Sequence, residues 1–217
     1  MYPIEKYDSW TLYRCETGML PSKPGSAISP RQYLEYAQED LRHTESPRTL
    51  INALGHAKRA IHMQADIILA ALQSKHLMAA SFPKKIDALS ECGVVAPNVL
   101  RRLNRLRNTV EHEYSIPSRQ EVEDAADIGQ LFVEAADYLL RLFPVRIVLE
   151  TNVGGEEAKL WLSFSAEEGA LRICQCGPPP AGDVDWTVLS TDPEFALWLR
   201  RIIDCSRQGR VSGRGDR

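Results

Sequence analysis

The chain has 217 residues, of which 44% are hydrophobic and 25% are charged, and its formal net charge is −3. This composition is that of an ordinary folded protein with enough apolar residues for a sizeable core. The acidic balance argues against a protein that coats nucleic acid through bulk charge. Any nucleic-acid contact must therefore come from a local basic patch.

The cysteine pattern and the absence of long apolar stretches indicate the compartment. The five cysteines are odd in number and scattered, unlike those of a disulfide-stapled domain. No apolar run approaches the roughly 20 residues needed to span a bilayer, and the first ten residues lack the features of a signal peptide. We therefore expect a soluble protein of the reducing cytoplasm with no membrane partner.

The first 29 residues combine aromatic residues with a stretch rich in proline and glycine. Such a mixture favours an extended N-terminal arm over a helix. We expect the aromatic side chains to anchor this arm, residues 1–29, on a neighbouring surface. They are Tyr2, Tyr7, Trp10 and Tyr13.

Five helices are predicted next, and clear start signals precede three of them. Ser29 and Ser46 each stand before a proline, the arrangement of an N-cap followed by the first helical position. Ser118 and Glu121 form a capping-box pattern. The predicted helices span residues 30–43, 47–74, 84–91, 98–114 and 118–142. Because their connections are mostly short, they indicate an up-and-down bundle over residues 30–144.

One face of the second predicted helix carries His56, Lys58, Arg59 and His62. Two interpretations remain open for this face. It is a basic surface for a ligand, or it is the solvated polar face that most amphipathic helices present.

After residue 144 the pattern changes to short β-rich runs separated by turn sequences. The predicted strands span residues 145–151, 158–165, 169–176 and 184–190. Asp192 and Pro193 then introduce a last helix, and the glycine-rich tail from residue 206 to 217 is predicted to be disordered. The fold class is thus α+β, a helical bundle followed by a small antiparallel meander with a C-terminal helix (145–205). Cys174 and Cys176 are interpreted as buried structural residues, since no zinc-type spacing follows them.

The fourth predicted helix gathers the residues with the most useful chemistry. On a helical wheel, its apolar residues form one stripe, and its polar residues lie together beside that stripe. The stripe contains Val99, Leu100, Leu103, Leu106, Val110 and Tyr114, which places Tyr114 toward the core. The polar arc contains Arg101, Asn104, Arg105, Asn108, Glu111 and His112, and Arg107 lies at the border.

These side chains suit a phosphodiester substrate. The guanidinium of Arg107 matches phosphate oxygens and the charge of a pentavalent transition state. Histidine is the side chain suited to proton transfer near neutral pH, so His112 can exchange a proton with a 2′-hydroxyl or a 5′-oxygen, and Asn108, four residues away, can orient its imidazole. Arg101, Arg102 and Arg105, with Asn104 beside them, would attract the RNA backbone. The alternative is a solvated helix face stabilised by salt bridges.

The string from Arg107 to Tyr114, RNTVEHEY, resembles the motif of HEPN domains, the higher eukaryotes and prokaryotes nucleotide-binding family. In this family an arginine followed by a polar residue precedes a histidine, with four to six residues between the arginine and the histidine. The helix order and the segment from Asn52 to Ala60 are also similar to HEPN sequences, so the resemblance covers about residues 30–144. It implies a metal-independent endoribonuclease of a toxin or defence system, without a cofactor, in which Arg107, Asn108 and His112 form the catalytic site.

The resemblance also implies partners. In HEPN ribonucleases two copies of the motif helix face each other, so we expect a homodimer with one composite cleft that binds RNA. In the toxin branch, the tyrosine that matches Tyr114 receives nucleotides from a nucleotidyltransferase antitoxin. Two alternatives remain open, namely a noncatalytic RNA- or nucleotide-binding module and a dimeric protein-interaction adaptor.

Overall fold

The structure, a computed structural model, describes residues 4–21, 27–43, 46–74, 79–94, 97–153, 156–175 and 185–212. These residues form an α+β fold with six α-helices and one five-stranded antiparallel sheet. The helices are α1 Pro30–Arg42, α2 Pro47–Ala71, α3 Phe82–Glu91, α4 Pro97–His112, α5 Arg119–Arg141 and α6 Phe195–Ser212. The strands are β1 Thr11–Gly18, β2 Phe143–Val153, β3 Glu156–Ser165, β4 Ala170–Cys174 and β5 Trp186–Leu189.

The predicted helix starts are confirmed by their capping contacts. Ser29, Ser46 and Ser118 each accept a hydrogen bond from the backbone N–H three residues later, and the side chain of that later residue accepts a hydrogen bond from the backbone N–H of the cap. The helix ends were predicted less well. α2 ends at Ala71 and α4 ends at His112, each before the predicted residue, because Gln73 and Tyr114 adopt left-handed backbone conformations.

α2 is the central helix of the bundle and packs against α1, α3, α4 and α5. α5 approaches α1 closely at Gly129, where a Cβ atom would lie 2.9 Å from Leu34 Cδ2. On the outside of the same contact, Arg31 of α1 forms ion pairs with Glu134 and Asp137 of α5. These contacts hold the long helices together and leave α3 and α4 on one side of α2.

The segment predicted as an extended arm contributes an edge strand to the sheet. β1 pairs antiparallel with β2, and two register irregularities interrupt this pairing. Such bulges protect an exposed sheet edge from pairing with other chains. Ahead of the strand, Tyr7 is buried against Trp198 of α6, with ring centroids 5.8 Å apart. Residues 1–3 lie outside the described part of the chain.

The sheet has the strand order β1-β2-β3-β4-β5, a simple meander in which the four predicted strands are all present. α6 covers one face of it with Trp198, Leu199 and Ile202, which belong to the same hydrophobic cluster as the buried residues of the bundle. On its other side α6 contacts α3. The helices and the sheet therefore share one core.

The tail predicted to be disordered from residue 206 begins inside α6, which continues to Ser212. Ser206 is buried, and its hydroxyl donates a hydrogen bond of 2.8 Å to the Ile203 carbonyl. Packing thus extends the helix into a polar sequence whose composition favours disorder. Residues 213–217 and Cys176 lie outside the described residues, whereas Cys174 is fully buried in β4.

In the part of the chain that the structure describes, none of the helices combines the length and the apolar character needed to cross a membrane.

Candidate nucleic-acid interface

α4 presents a line of polar side chains to solvent. Arg101, Arg105, Asn108 and His112 follow each other at spacings of four, three and four residues, so they lie along one side of the helix. The opposite side buries Leu100, Leu103 and Val110. The division of α4 into an apolar and a polar side is therefore confirmed, although Val99 is exposed and Leu106 is half-buried.

Arg107 lies between these two sides and is half-buried. One nitrogen of its guanidinium forms an ion pair with Glu111, one turn later on the helix, and another donates a 3.3 Å hydrogen bond to Asn108 Oδ1. Asn108 thus orients the arginine, whereas the sequence suggested that it would orient His112. The two contacts fix the guanidinium at the edge of the exposed face.

His112 is the last residue of α4 and is exposed. It follows Arg107 by five residues, which corresponds to about 140° around an α-helix. The two side chains therefore point in different directions from one helix. A single copy of α4 does not bring Arg107 and His112 around one phosphate.

The structure adds Lys58 of α2 to the residues around Arg107. Burial lowers the pKa of Lys58, and the positive charge of Arg107 lowers it further, whereas Glu111 raises it. Lys58 Nζ also lies 5.9 Å from the centre of the Phe82 ring. No local pattern links residues 58 and 107, so the proximity of Lys58 to Arg107 could not be predicted from the sequence.

A shallow cavity of about 200 Å³ lies between α3 and α4. The three predicted RNA-binding residues, Arg101, Asn104 and Arg105, line one side of it, and Phe82, Pro83 and Ile86 line the other. Arg101 is held by an ion pair of 2.5 Å with Asp87. Cationic side chains beside an apolar surface are an arrangement suited to a nucleotide, whose base stacks while its phosphate is bound.

Arg102 does not join this group. It lines a separate groove of about 460 Å³ between α4 and α5, which three carboxylates of α5 also line. These carboxylates belong to Glu121, Asp124 and Asp127. These carboxylates disfavour an RNA backbone in the groove, and the contact of Arg102 with RNA stays a prediction.

The polar face of α2 is largely occupied by contacts within the fold. Lys85 of α3 is only 3% exposed, and its Nζ lies 2.6 Å from Asp66 Oδ1 and 3.1 Å from His62 Nε2. Burial lowers the pKa of His62, and the neighbouring charge of Lys85 lowers it further. His56 is also half-buried and stacks on Tyr33 at 5.9 Å. Neither histidine belongs to a solvated face.

Tyr114 is 90% exposed and follows the end of α4 with a φ of +54°. The helical wheel placed this side chain toward the core, and that prediction is wrong. The wheel assumed that the helix continues to Tyr114, whereas it ends at His112 and the backbone then turns into the left-handed region. The tyrosine hydroxyl is therefore accessible from solvent.

Within the described residues, histidine, cysteine and acidic side chains form no group of three or more that could hold a metal ion. Comparison of the chain with protein-family models, with curated proteins and with solved structures finds no match. The fold and the site thus define the class of protein only as an α+β protein in which one helix face carries basic residues and a histidine.

Proposed function

We propose that the protein is a metal-independent endoribonuclease of the HEPN type, acting in the cytoplasm as a homodimer in a toxin or defence system. The observation that carries this proposal is the exposed side of α4. It presents an exposed imidazole, His112, with a positioned guanidinium, Arg107, at its edge, on the helix whose earlier turns line the cavity with Arg101, Asn104 and Arg105. The motif resemblance assigns the same residues to catalysis.

The chemistry follows from the residue types. The His112 imidazole takes the proton of an RNA 2′-hydroxyl, and the 2′-oxygen attacks the adjacent phosphorus as the bond to the 5′-oxygen breaks. The products are a 2′,3′-cyclic phosphate and a 5′-hydroxyl, whose proton a second histidine or water supplies. Arg107 stabilises the charge that accumulates on the phosphoryl oxygens, and Asn108 keeps the guanidinium in place.

A second copy of the chain is needed to complete this site. Because Arg107 and His112 are separated by about 140° around α4, the two side chains of one helix cannot contact the same phosphate. Two copies of α4 facing each other would supply an arginine from one helix and a histidine from the other. We expect light scattering after gel filtration to give twice the mass of the chain, and cleavage per chain to fall when the protein is diluted into the monomeric range.

Cleavage itself is tested with labelled single-stranded RNA in the presence of EDTA. We expect the full chain to cut this RNA and His112→Ala to lose on the order of 100-fold or more in rate. His43→Ala is a matched control, because His43 is an exposed histidine outside the motif helix, directly after α1. Undiminished cleavage by His112→Ala would remove His112 from the site.

A noncatalytic RNA-binding module is the second candidate, and the contacts of Arg107 favour it. Its guanidinium is already engaged by Glu111 and Asn108, as expected for a structural arginine. This candidate predicts no cleavage by the wild-type chain, and RNA binding that survives His112→Ala but falls in Arg101→Glu/Arg105→Glu. A dimeric adaptor, the third candidate, predicts a stable protein complex and no RNA affinity.

Tyr114 is proposed as the acceptor for nucleotide addition by a nucleotidyltransferase antitoxin, since its hydroxyl is exposed next to the site. Coexpression with a nucleotidyltransferase encoded beside the gene tests this by intact mass. We expect the mass to rise by whole nucleotide units and Tyr114→Phe to abolish the increase. Tyr36→Phe, at another exposed tyrosine, should leave it unchanged. Unchanged modification of Tyr114→Phe would contradict the assignment.

A further inference from the structure

The face of the sheet that points away from α6, the outer face, carries aromatic and cationic side chains. Strand alternation sends Ile147, Leu149, Leu160 and Leu162 into the core, so their neighbours along β2 and β3 point outward. Tyr13 belongs to the outer face, because Lys159 Nζ lies 4.1 Å from the centre of its ring. The outer face comprises Tyr13, Arg14, Glu16, Arg146, Val148, Glu150, Lys159, Trp161, Ser163 and Arg172.

Trp161 lies at the centre of this face, on the middle strand. It is half-buried, and the register places it between Val148 on one side and Cys174 on the other, both of which are buried. Lys159 precedes it by two residues on the same side of β3. Arg146 and Arg172 flank Ser163 in the next row, which makes both of them diagonal neighbours of Trp161. Cationic residues of three strands thus occupy the register positions around this aromatic residue.

The cations of the outer face are only partly neutralised. Arg14 and Arg146 share the single carboxylate of Glu16, at 3.1 and 3.0 Å, so one positive charge of the three groups is left over. Arg172 pairs with Glu168 in the turn between β3 and β4, and Glu150 lies opposite Lys159 in the strand register. Tyr13 is 56% exposed, and its ring is open to solvent beside Lys159. A positive charge excess around Arg14 therefore adjoins two aromatic rings, in a chain whose total charge is negative.

We propose that the outer face binds single-stranded nucleic acid. Unpaired bases stack on aromatic rings regardless of sequence. The phosphates between the bases require cations nearby, and Arg14, Arg146 and Lys159 supply them from three adjacent strands. A duplex hides its bases from such a surface. The inference goes beyond the proposed function, because it needs no cleavage at α4 and uses residues on the opposite side of the core.

The experiment measures fluorescence anisotropy of a labelled U12 oligonucleotide with the full chain in EDTA, using His112→Ala as the background so that the probe stays intact. We expect a Kd on the order of 1–100 µM at moderate salt. Trp161→Ala should weaken binding about 10-fold, the typical effect of losing one stacked base. Lys159→Glu should also weaken binding and reduce the salt dependence by roughly one phosphate contact.

Arg48→Glu at the start of α2 is the matched charge control and should bind U12 like the background protein. Far-UV circular dichroism and Tm establish that each variant is folded, and Tyr13→Ala replaces Trp161→Ala if the latter is not. A parallel dT12 probe shows whether RNA, DNA or both are bound, and a 12-base-pair RNA duplex should bind more weakly.

Two outcomes would overturn the inference. In the first, Trp161→Ala, Tyr13→Ala and Lys159→Glu bind U12 as tightly as the background protein. In the second, only Arg101→Glu/Arg105→Glu reduces binding, which would place all nucleic-acid contacts on α4. Failure of cleavage by the wild-type chain with the outer-face effects intact would reject the proposed nuclease and leave this inference standing.

Discussion

Two histidines that lie near cationic side chains have opposite surroundings in this protein. His62, on α2, is packed against Phe82 and accepts a hydrogen bond from the buried Lys85. His112, at the end of α4, is exposed. Residue type alone therefore does not identify a catalytic group. A histidine whose partners come from the fold stabilises the fold, whereas an exposed histidine is available to a substrate.

The two regions also differ in electrostatics. Around His62, Lys85 and Asp66 form an ion pair that is largely removed from water, and burial lowers the pKa of the imidazole. Around Arg107 the ion pair with Glu111 is half-exposed, and solvent weakens it. Substitutions in the α2–α3 region should therefore change stability, and substitutions at the end of α4 should change activity.

The largest expected effect is that substitution of one histidine lowers activity, whereas substitution of the other lowers stability. His112→Ala should lower the cleavage rate on the order of 100-fold and leave the Tm unchanged, because an exposed side chain contributes little to folding. His62→Ala should lower the Tm, because it removes the acceptor for Lys85 and a ring packed on Phe82. Cleavage assays and thermal unfolding of both variants check this. A rate loss in His62→Ala equal to that in His112→Ala, with both folded, would erase the distinction.

Lys85→Met should destabilise the fold by about 2 kcal/mol. Methionine fills a similar volume but leaves the half-buried Asp66 carboxylate without its partner, and the partial exposure of Asp66 keeps the cost below that of a fully buried pair. Lys84→Met is the matched control at the neighbouring exposed position, where we expect a change within about 0.5 kcal/mol. Urea unfolding measures both. Equal stability of the two variants would show that the Lys85 contacts contribute nothing.

Glu111→Gln should strengthen RNA binding about 3-fold. The substitution removes a negative charge that neutralises Arg107 and repels phosphate, while the cost of a half-exposed i, i+4 pair is below about 0.5 kcal/mol. Anisotropy with U12 in the His112→Ala background measures the change. Glu113→Gln, at an exposed residue just beyond the helix, controls for net charge. An identical gain in both variants would mean that Arg107 is not in contact with RNA.

The smallest expected effect is a decrease of stability on acidification. Because the pKa of His62 in the folded protein lies below its ordinary value of 6.5, the unfolded chain binds a proton more readily. The contribution of His62 to stability is therefore fully present above about pH 6.5, and it is lost as the pH falls through the pKa of His62 in the folded protein. His56 contributes in the same direction. Thermal unfolding at pH 7.5 and 5.5 should show a smaller difference in His62→Asn than in His43→Asn. An equal difference would exclude His62 as a source.

Local signals in the sequence predicted most of the secondary structure. Serine caps before proline fixed the starts of α1 and α2, and β-rich runs between turn sequences predicted the four strands β2 to β5. These features depend on neighbours within a few residues. The amphipathic pattern of α4 likewise separated buried Leu100, Leu103 and Val110 from the exposed line that ends at His112.

Features that depend on distant residues were not predictable. β1 acquires its strand partner about 130 residues later in the chain, so its local sequence indicated only extended structure. α6 extends past Ser206 because tertiary packing buries that residue. The exposure of Tyr114 depends on where α4 ends, and a helical wheel takes the end of a helix as given.

The sequence by itself thus determined the helices, the meander and the polar side of α4, because capping, alternation and helical periodicity are short-range effects. Only the tertiary structure decided which charged groups are committed to the fold. It buried Lys85 with Asp66 and His62, placed Arg102 in a groove that carboxylates of α5 also line, and placed Lys58 beside Arg107. Burial and partner charges come from elements that are far apart in sequence, and these two quantities set whether a polar side chain stabilises the protein or remains available to a ligand.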